Sequence, residues 1–144
     1  MKKMFITTIM LLLTLSLTTL ANNNSPVEEE NVKQVVSDFM SGIDNKNADL
    51  LESVLIDGGR FIEINVVDKV NSYSSGELVA EVKSGKVGGW KRNYEISSVE
   101  LSDNVAIAKV QIQSAKIIQQ QFVSLVKVEG AWKVASSCSS MEKK

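Results

Sequence analysis

Glu63 is the carboxylate whose surroundings in the sequence best suit ligand binding or acid–base chemistry. It stands between Phe61 and Asn65 at alternate positions of the segment 60–67, so the three side chains share one face of a predicted strand. A strand face that combines an aromatic ring, a carboxylate and an amide can line a pocket. The same face can also meet solvent, and Glu63 is then a surface charge. The sequence leaves both interpretations open.

The chain contains no histidine and a single cysteine, Cys138. Histidine is the side chain best suited to proton transfer near neutral pH and the commonest metal ligand, so triads and dehydratase sites that need it are excluded. One cysteine cannot build a zinc site or an internal disulfide. We therefore expect no metal, no cofactor and no catalytic residues. Cys138 is expected to be a small residue of a terminal strand or tail, the alternatives being a reactive thiol or an intermolecular disulfide.

The sequence also fits poorly with one kind of isomerase site, in which a carboxylate base faces a tyrosine and a protonated acid. The first predicted helix carries Phe39 and Met40, and neither side chain has a hydroxyl that could donate. Tyr73 and Tyr94 are the two tyrosines of the chain, and the sequence places neither in a suitable position. An isomerase or cyclase is therefore the third of the functions considered below.

The N-terminal segment has the pattern of a secretory signal peptide. A basic start, Met1-Lys2-Lys3, precedes an apolar run and a small-residue exit ending at Ala21. The predicted division is a signal peptide at 1–21, a linker at 22–26, one domain at 27–138 and a C-terminal tail at 139–144. The alternative for the first segment is a membrane anchor. Cleavage predicts an exported protein, periplasmic or secreted, that has no membrane contact in its mature form.

The predicted elements are three helices in the first half and a run of strands in the second. Apolar residues recur at helical spacing from Val32 to Ile43, behind Pro26 and three glutamates that favour a helix N-terminus. Charges are nearly balanced, 16 basic against 17 acidic, and no basic stripe is present, so nucleic acid is excluded as a partner. The predicted boundaries are helices at 26–43, 48–55 and 76–84, and strands at 60–67, 93–101, 104–113, 117–128 and 131–137. The residues 68–75 are predicted to be a connection.

This order of elements resembles the cone-shaped NTF2-like (SnoaL-like) superfamily, and most of all its small putative lumazine-binding group. The resemblance rests on VKQVVSDFMSGIDNKNADLLESVL, NVAIAKVQI and FVSLVKVEGAWKV, which together cover nearly all of the mature chain. It implies an α+β fold in which three N-terminal helices pack on a strongly curved, mainly antiparallel sheet around a conical cavity. The chain departs from relatives at Gln121, where an acidic residue is common, and at Ser136-Ser137-Cys138, where asparagine and lysine are common.

The expected ligand site lies between the first helix and the sheet. Trp132 and Phe122 are both expected to be core residues. If Phe61 points inward then Glu63 does also, and its carboxylate would need a donor such as Asn65 or Tyr94. The candidate cavity residues are Phe39, Phe61, Glu63, Trp90 and Phe122.

Three functions are consistent with the sequence. The first is an exported, non-enzymatic domain that binds a small apolar or amphipathic ligand in the cone. The second is an interaction module that dimerises through its sheet: Lys109, Gln111 and Gln113 indicate a polar outer face, whereas Phe122 and Val123 make both faces of the next strand partly apolar, which predicts a homodimer. The third is an isomerase- or cyclase-type enzyme.

Overall fold

The computed structural model describes residues 25–144, so the predicted signal peptide and most of the predicted linker lie outside the described part. The first helix, α1, runs from Pro26 to Asp44, as the sequence predicts. The hydroxyl of Ser25 caps it by accepting from the backbone N–H of Val27, and proline and two glutamates occupy the first turn. Its buried stripe packs toward the sheet and consists of Val32, Val36, Phe39, Met40 and Ile43.

Two shorter helices follow and end close to their predicted boundaries. Helix α2 spans Ala48–Val54 and is capped by the side chain of Asn47. Helix α3 spans Ser75–Lys83. Its cap is Ser74, because Ser74 and Glu77 exchange side-chain to backbone hydrogen bonds in a capping box.

Six strands form one open, curved sheet in the order β2-β1-β6-β5-β4-β3. All neighbouring pairs are antiparallel except β1 and β6, which are parallel. Register shifts interrupt the pairing of β1 with β6, β3 with β4 and β5 with β6, and such bulges bend strands and increase their twist. The strands are β1 Leu55–Ile64, β2 Val70–Ser74, β3 Asn93–Ser102, β4 Val105–Gln113, β5 Ile117–Val128 and β6 Ala131–Lys143.

The structure differs from the sequence prediction at three strands. Strand β1 begins at Leu55 and contains Gly58 and Gly59, which were predicted to separate a helix from a strand. The residues predicted as a plain connection include β2, which pairs with β1 as a hairpin. Strand β6 extends to Lys143, through most of the predicted tail, because it pairs with both β1 and β5. Each error comes from long-range strand pairing, which local pattern does not report.

The core lies between the concave face of the sheet and the three helices. Trp132 is buried there as predicted, whereas Phe122 is 50% exposed on the opposite, outer face. In the described range 25–144, no helix is long and apolar enough to cross a membrane.

Candidate functional site

A cavity of about 240 Å³ opens between α1, α3 and the concave face of the sheet. A second chamber of about 520 Å³ adjoins it toward the open end of the cone, and Glu63, Trp90, Arg92 and Gln119 line both. We call these the inner and the outer chamber. The apolar residues of the inner chamber come mainly from the helices, strand β1 and the 84–92 segment: Phe39, Ile43, Phe61, Leu78, Val87 and Trp90.

Polar side chains cross the floor of the inner chamber in one row. Glu63 on β1 pairs in register with Asn71 on β2 and with Ser139 on β6, and Ser139 pairs in turn with Gln121 on β5. Paired residues point to the same side of a sheet, so these four side chains line the cavity together. With strands about 4.8 Å apart, the row is roughly 14 Å long. We call Asn71, Glu63, Ser139 and Gln121 the polar row.

Glu63 faces the inner chamber, but neither expected partner satisfies it. The amide Nδ2 of Asn71 donates to its Oε1 at 3.4 Å, a long hydrogen bond. Asn65 lies beyond the end of β1 and accepts instead from the backbone N–H groups of Val67 and Lys69 in the β1–β2 turn. The hairpin that brings Asn71 opposite Glu63 was absent from the sequence prediction, and so was this contact.

Two glutamines on β5 are buried against serines on β6. Gln119 Nε2 donates to Ser139 Oγ at 3.0 Å, and Gln121 Nε2 donates to Ser137 Oγ at 3.1 Å. The carbonyl of Gln119 is fixed as well, because it accepts from Arg92 Nη1 at 3.2 Å. Among residues 25–144 no second side-chain hydrogen bond of Gln121 is found, so its carbonyl oxygen can accept one.

Arg92 connects the end of α1 to the floor of the cavity. Its Nε lies 2.7 Å from Oδ1 of Asp44, and the two side chains are 7% and 13% exposed. Burial raises the pKa of the Asp44 carboxyl, and the charge and hydrogen bond of Arg92 oppose this shift. The guanidinium carbon also lies 4.8 Å from the centre of the Trp90 ring, in cation–π geometry.

Tyr73 lines the inner chamber from β2, next to the polar row. Burial raises the pKa of its hydroxyl, and the negative charges of Glu63 and Glu81 add to this shift. The hydroxyl therefore remains protonated at neutral pH, able to donate and to accept. The sequence pointed away from Tyr73 because β2 was not foreseen.

The segment 84–92 closes one side of the cavity and is held against the end of α1. Gly88 adopts φ +91°, and a Cβ atom at this position would lie 2.0 Å from the carbonyl oxygen of Ile43. Only glycine allows this approach. The ammonium of Lys46 holds the same segment by donating to the Gly85 carbonyl at 3.1 Å.

Four of the five candidate cavity residues line the inner chamber: Phe39, Phe61, Glu63 and Trp90. The rings of Phe39 and Phe61 stack with centroids 5.7 Å apart, and Trp90 is 42% exposed at the junction of the two chambers. The fifth placement was wrong, because Phe122 alternates along β5 with the inward-facing Gln121 and Val123 and so lies on the outer face.

The glutamines and serines of the floor were not predicted as site residues, although the sequence contains a signal for them. Gln119 and Gln121 share strand parity with Val123 and Leu125, and apolar residues of that parity would have indicated the buried face. In the described range 25–144, no cluster of three or more histidine, cysteine or acidic residues could hold a metal ion.

Comparison with known proteins identifies the family. The sequence model described as "Putative lumazine-binding" matches residues 27–138. No protein in the curated set matches the chain. Among solved structures, an NTF2-like protein of unknown function from Shewanella baltica has a TM-score of 0.71 at 17% identity, covering 85% of this chain and 100% of its own.

Two further structures agree in fold. An NTF2-like protein of unknown function from Methylobacillus flagellatus has a TM-score of 0.70 at 14% identity, covering 84% of this chain and 97% of its own. A ketosteroid isomerase-like protein from Erwinia carotovora atroseptica has a TM-score of 0.65 at 15% identity, covering 81% and 98%. These likenesses establish the fold and carry no activity across. The chain therefore belongs to the putative lumazine-binding family, and it has the fold of the NTF2-like proteins.

Proposed function

We propose that the protein is an exported, non-enzymatic domain that binds a small apolar or amphipathic ligand in the inner chamber. One observation carries the proposal: apolar side chains from α1, α3 and the 84–92 segment face the polar row across an unfilled cavity of about 240 Å³. Small-molecule sites are typically apolar clefts with a few convergent polar groups that fix orientation. The putative lumazine-binding family and the NTF2-like fold support this proposal, because both fit a ligand-binding domain.

Native mass spectrometry of the protein purified from its own source tests this function. We expect a non-covalent adduct that is released at higher collision energy. Trp90→Ala should reduce the adduct with little effect on folding, because Trp90 is already 42% exposed. Phe122→Ala, on the outer face, is the matched aromatic control and should retain it. Equal adduct levels in the two variants would contradict the assignment to this cavity.

Export is the second part of the proposal and rests on residues 1–21. The basic start, apolar run and exit at Ala21 support it. Intact-mass measurement of protein from the host should show Asn22 as the first residue. A full-length species retained in the membrane fraction would overturn it.

A homodimer formed through the outer sheet face is the leading alternative, and one observation favours it. Val105, Ile107 and Phe122 are each about half exposed on that face, on neighbouring strands β4 and β5. An exposed apolar patch of this kind is typical of an association surface. Light scattering at micromolar concentration should then give twice the monomer mass, and Phe122→Asp should give the monomer. A monomer for the unaltered chain would exclude this alternative.

An isomerase- or cyclase-type enzyme is the remaining alternative. Glu63 and Tyr73 line the same chamber, and a carboxylate base near a protonated hydroxyl is part of such a site. The remaining polar groups of the floor are amides and serine hydroxyls, which supply no second acid. Proton exchange at the α-carbon of a bound ketone, lost in Glu63→Gln, would support this alternative over simple binding.

A further inference from the structure

Three formally charged side chains line the inner chamber: Glu63, Lys86 and Arg92. Arg92 is neutralised by Asp44 at 2.7 Å, and Lys86 lies 3.4 Å from Glu81 with its own side chain 70% exposed. Both cations thus have carboxylate partners. In the Arg92–Asp44 pair, both side chains are largely buried. Asp44 therefore already balances the charge of Arg92 that an anionic ligand would use.

Glu63 has no such compensation. Within residues 25–144, no lysine or arginine nitrogen lies within 4.0 Å of its carboxylate, and its one side-chain contact is the 3.4 Å hydrogen bond from Asn71. A carboxylate accepts several hydrogen bonds, so Glu63 retains capacity on the cavity side. A partly buried carboxylate without a cation favours a ligand that supplies one.

Resting on the proposed function, we propose that the ligand is a protonated primary amine with an apolar body, its ammonium group held by Glu63. An ammonium has three N–H donors. Two acceptors for them come from neighbouring strands: the carboxylate of Glu63 on β1 and the hydroxyl oxygen of Tyr73 on β2. The carbonyl oxygen of Gln121 lines the same chamber two strands away from Glu63, where it can accept from a further polar group of the ligand. The apolar body then lies against Phe61 and Leu78 or extends past Trp90 into the outer chamber.

Other ligand charges fit the same chamber less well. A hydroxyl group has one donor and no charge. Its hydrogen bond to a carboxylate is therefore weaker than that of an ammonium group. A carboxylate on the ligand would meet Glu63 with like charge. The polar row thus distinguishes ligands of similar size by their charge.

Isothermal titration calorimetry with three probes of similar size tests the inference: phenethylamine, phenethyl alcohol and phenylacetate. At neutral pH and low salt we expect the amine to bind about tenfold more tightly than the alcohol, with phenylacetate weakest. Glu63→Gln preserves shape, and it should lower amine affinity about tenfold while changing alcohol affinity less than about twofold. Glu95→Gln, which removes an exposed carboxylate of β3, is the matched control and should change neither.

Tyr73→Phe provides a second variant if Glu63→Gln does not fold. It should weaken the binding of phenethylamine more than the binding of phenethyl alcohol. Alcohol or phenylacetate binding as tight as the amine would overturn the amine inference and leave the proposed function intact. An amine affinity that survives Glu63→Gln would also overturn it. If no probe binds at millimolar concentration to the folded protein, the inference fails and the proposed function is contradicted with it.

Discussion

The two faces of strand β5 have the reverse of the usual distribution of polarity. On the inner face, Gln119 and Gln121 are 5% and 6% exposed, whereas Phe122 on the outer face is 50% exposed. The glutamines tolerate burial because β6 places a serine hydroxyl within 3.0 and 3.1 Å of their amide nitrogens. Burial of this strand therefore follows its parity and its neighbours, and the polarity of single residues does not reveal it.

The second half of the strand, from Val123 onward, is different. There the inner face carries Val123 and Leu125, which are fully buried against the helices. The inner face is thus divided into an apolar part that holds the fold together and a polar part that meets the cavity. On the outer face, Gln120, Ser124 and Val126 are half-buried and Phe122 is exposed, so this face has no such division.

The largest expected effect comes from the apolar part of the inner face. Leu125→Ala should lower the free energy of unfolding by about 3 kcal/mol, because it leaves a cavity in a packed core. Phe122→Ala on the outer face should cost about 1 kcal/mol or less, since half of its surface already meets water. Urea denaturation of both variants measures the difference. A larger and concentration-dependent cost at Phe122 would mean that a partner covers the outer face.

The buried ion pair should come next. Arg92→Met removes the cation that faces Asp44, and we expect a loss of about 2 kcal/mol, below the usual cost for a fully buried pair because Arg92 lines an open cavity. The outer-face control is Lys109→Met, whose ammonium lies 5.9 Å from the Phe122 ring centre and which should cost less than about 0.5 kcal/mol.

Acidification should reduce the difference in free energy of unfolding between the parent protein and Arg92→Met. Burial raises the pKa of Asp44 in the folded state, and loss of Arg92 raises it further. At a pH between the unfolded-state and the folded-state pKa of Asp44, the folded protein binds more protons than the unfolded chain. The free energy of unfolding therefore increases as the pH falls through the folded-state pKa. A deficit that grows on acidification would show that Asp44 is not the group left unpaired.

A smaller effect separates the adjacent glutamines. Gln121→Met leaves the Ser137 hydroxyl without its partner and should cost about 1 kcal/mol. In Gln120, on the outer side, the carbonyl oxygen is buried without a hydrogen-bond partner, so Gln120→Met should be neutral or stabilising. Thermal and urea unfolding of the pair test the contrast. Equal losses at the two positions would show that the Gln121–Ser137 contact contributes nothing specific.

The smallest effect concerns Glu28, where α1 meets the β5–β6 hairpin. Its carboxylate accepts one hydrogen bond from Lys127 at 2.9 Å and one from the Trp132 indole at 2.7 Å. Both hydrogen bonds lower the pKa of Glu28, and the one from Lys127 lowers it most. Because the folded pKa is lowered, the stabilisation is present above the unfolded pKa and is lost as pH falls through the folded one. Glu28→Gln should therefore be less stable than the parent near neutral pH and equally stable in acid. This dependence is opposite in sign to that of Asp44.

Much of the fold was predictable because its signals are local. The apolar stripe and capping residues of α1 fix that helix. The predicted strands 117–128 and 131–137 leave only Glu129-Gly130 between them, and this turn has positive φ at both positions. The inward direction of Glu63 also followed correctly from that of Phe61.

The site itself was only partly predictable, because its contacts join distant parts of the chain. Arg92 and Asp44 are 48 positions apart, and Gln121 and Ser137 are 16 apart on strands whose register a single sequence does not specify. Phe122 was misplaced since an aromatic residue was assumed to be core. Val123 and Leu125, at the opposite strand parity, mark the buried face of β5 more reliably than a single aromatic residue does.

The contact between Gly88 and the Ile43 carbonyl has a consequence for how this protein can change over evolution. The wall beside the inner chamber is held by backbone touching backbone, at a position where any side chain would force the two segments apart. Substitutions on the floor of the cavity can therefore change its lining without changing how the 84–92 segment packs on the end of α1. In related chains, a residue other than glycine at the position of Gly88 would indicate that this segment packs differently, even where the floor residues are unchanged.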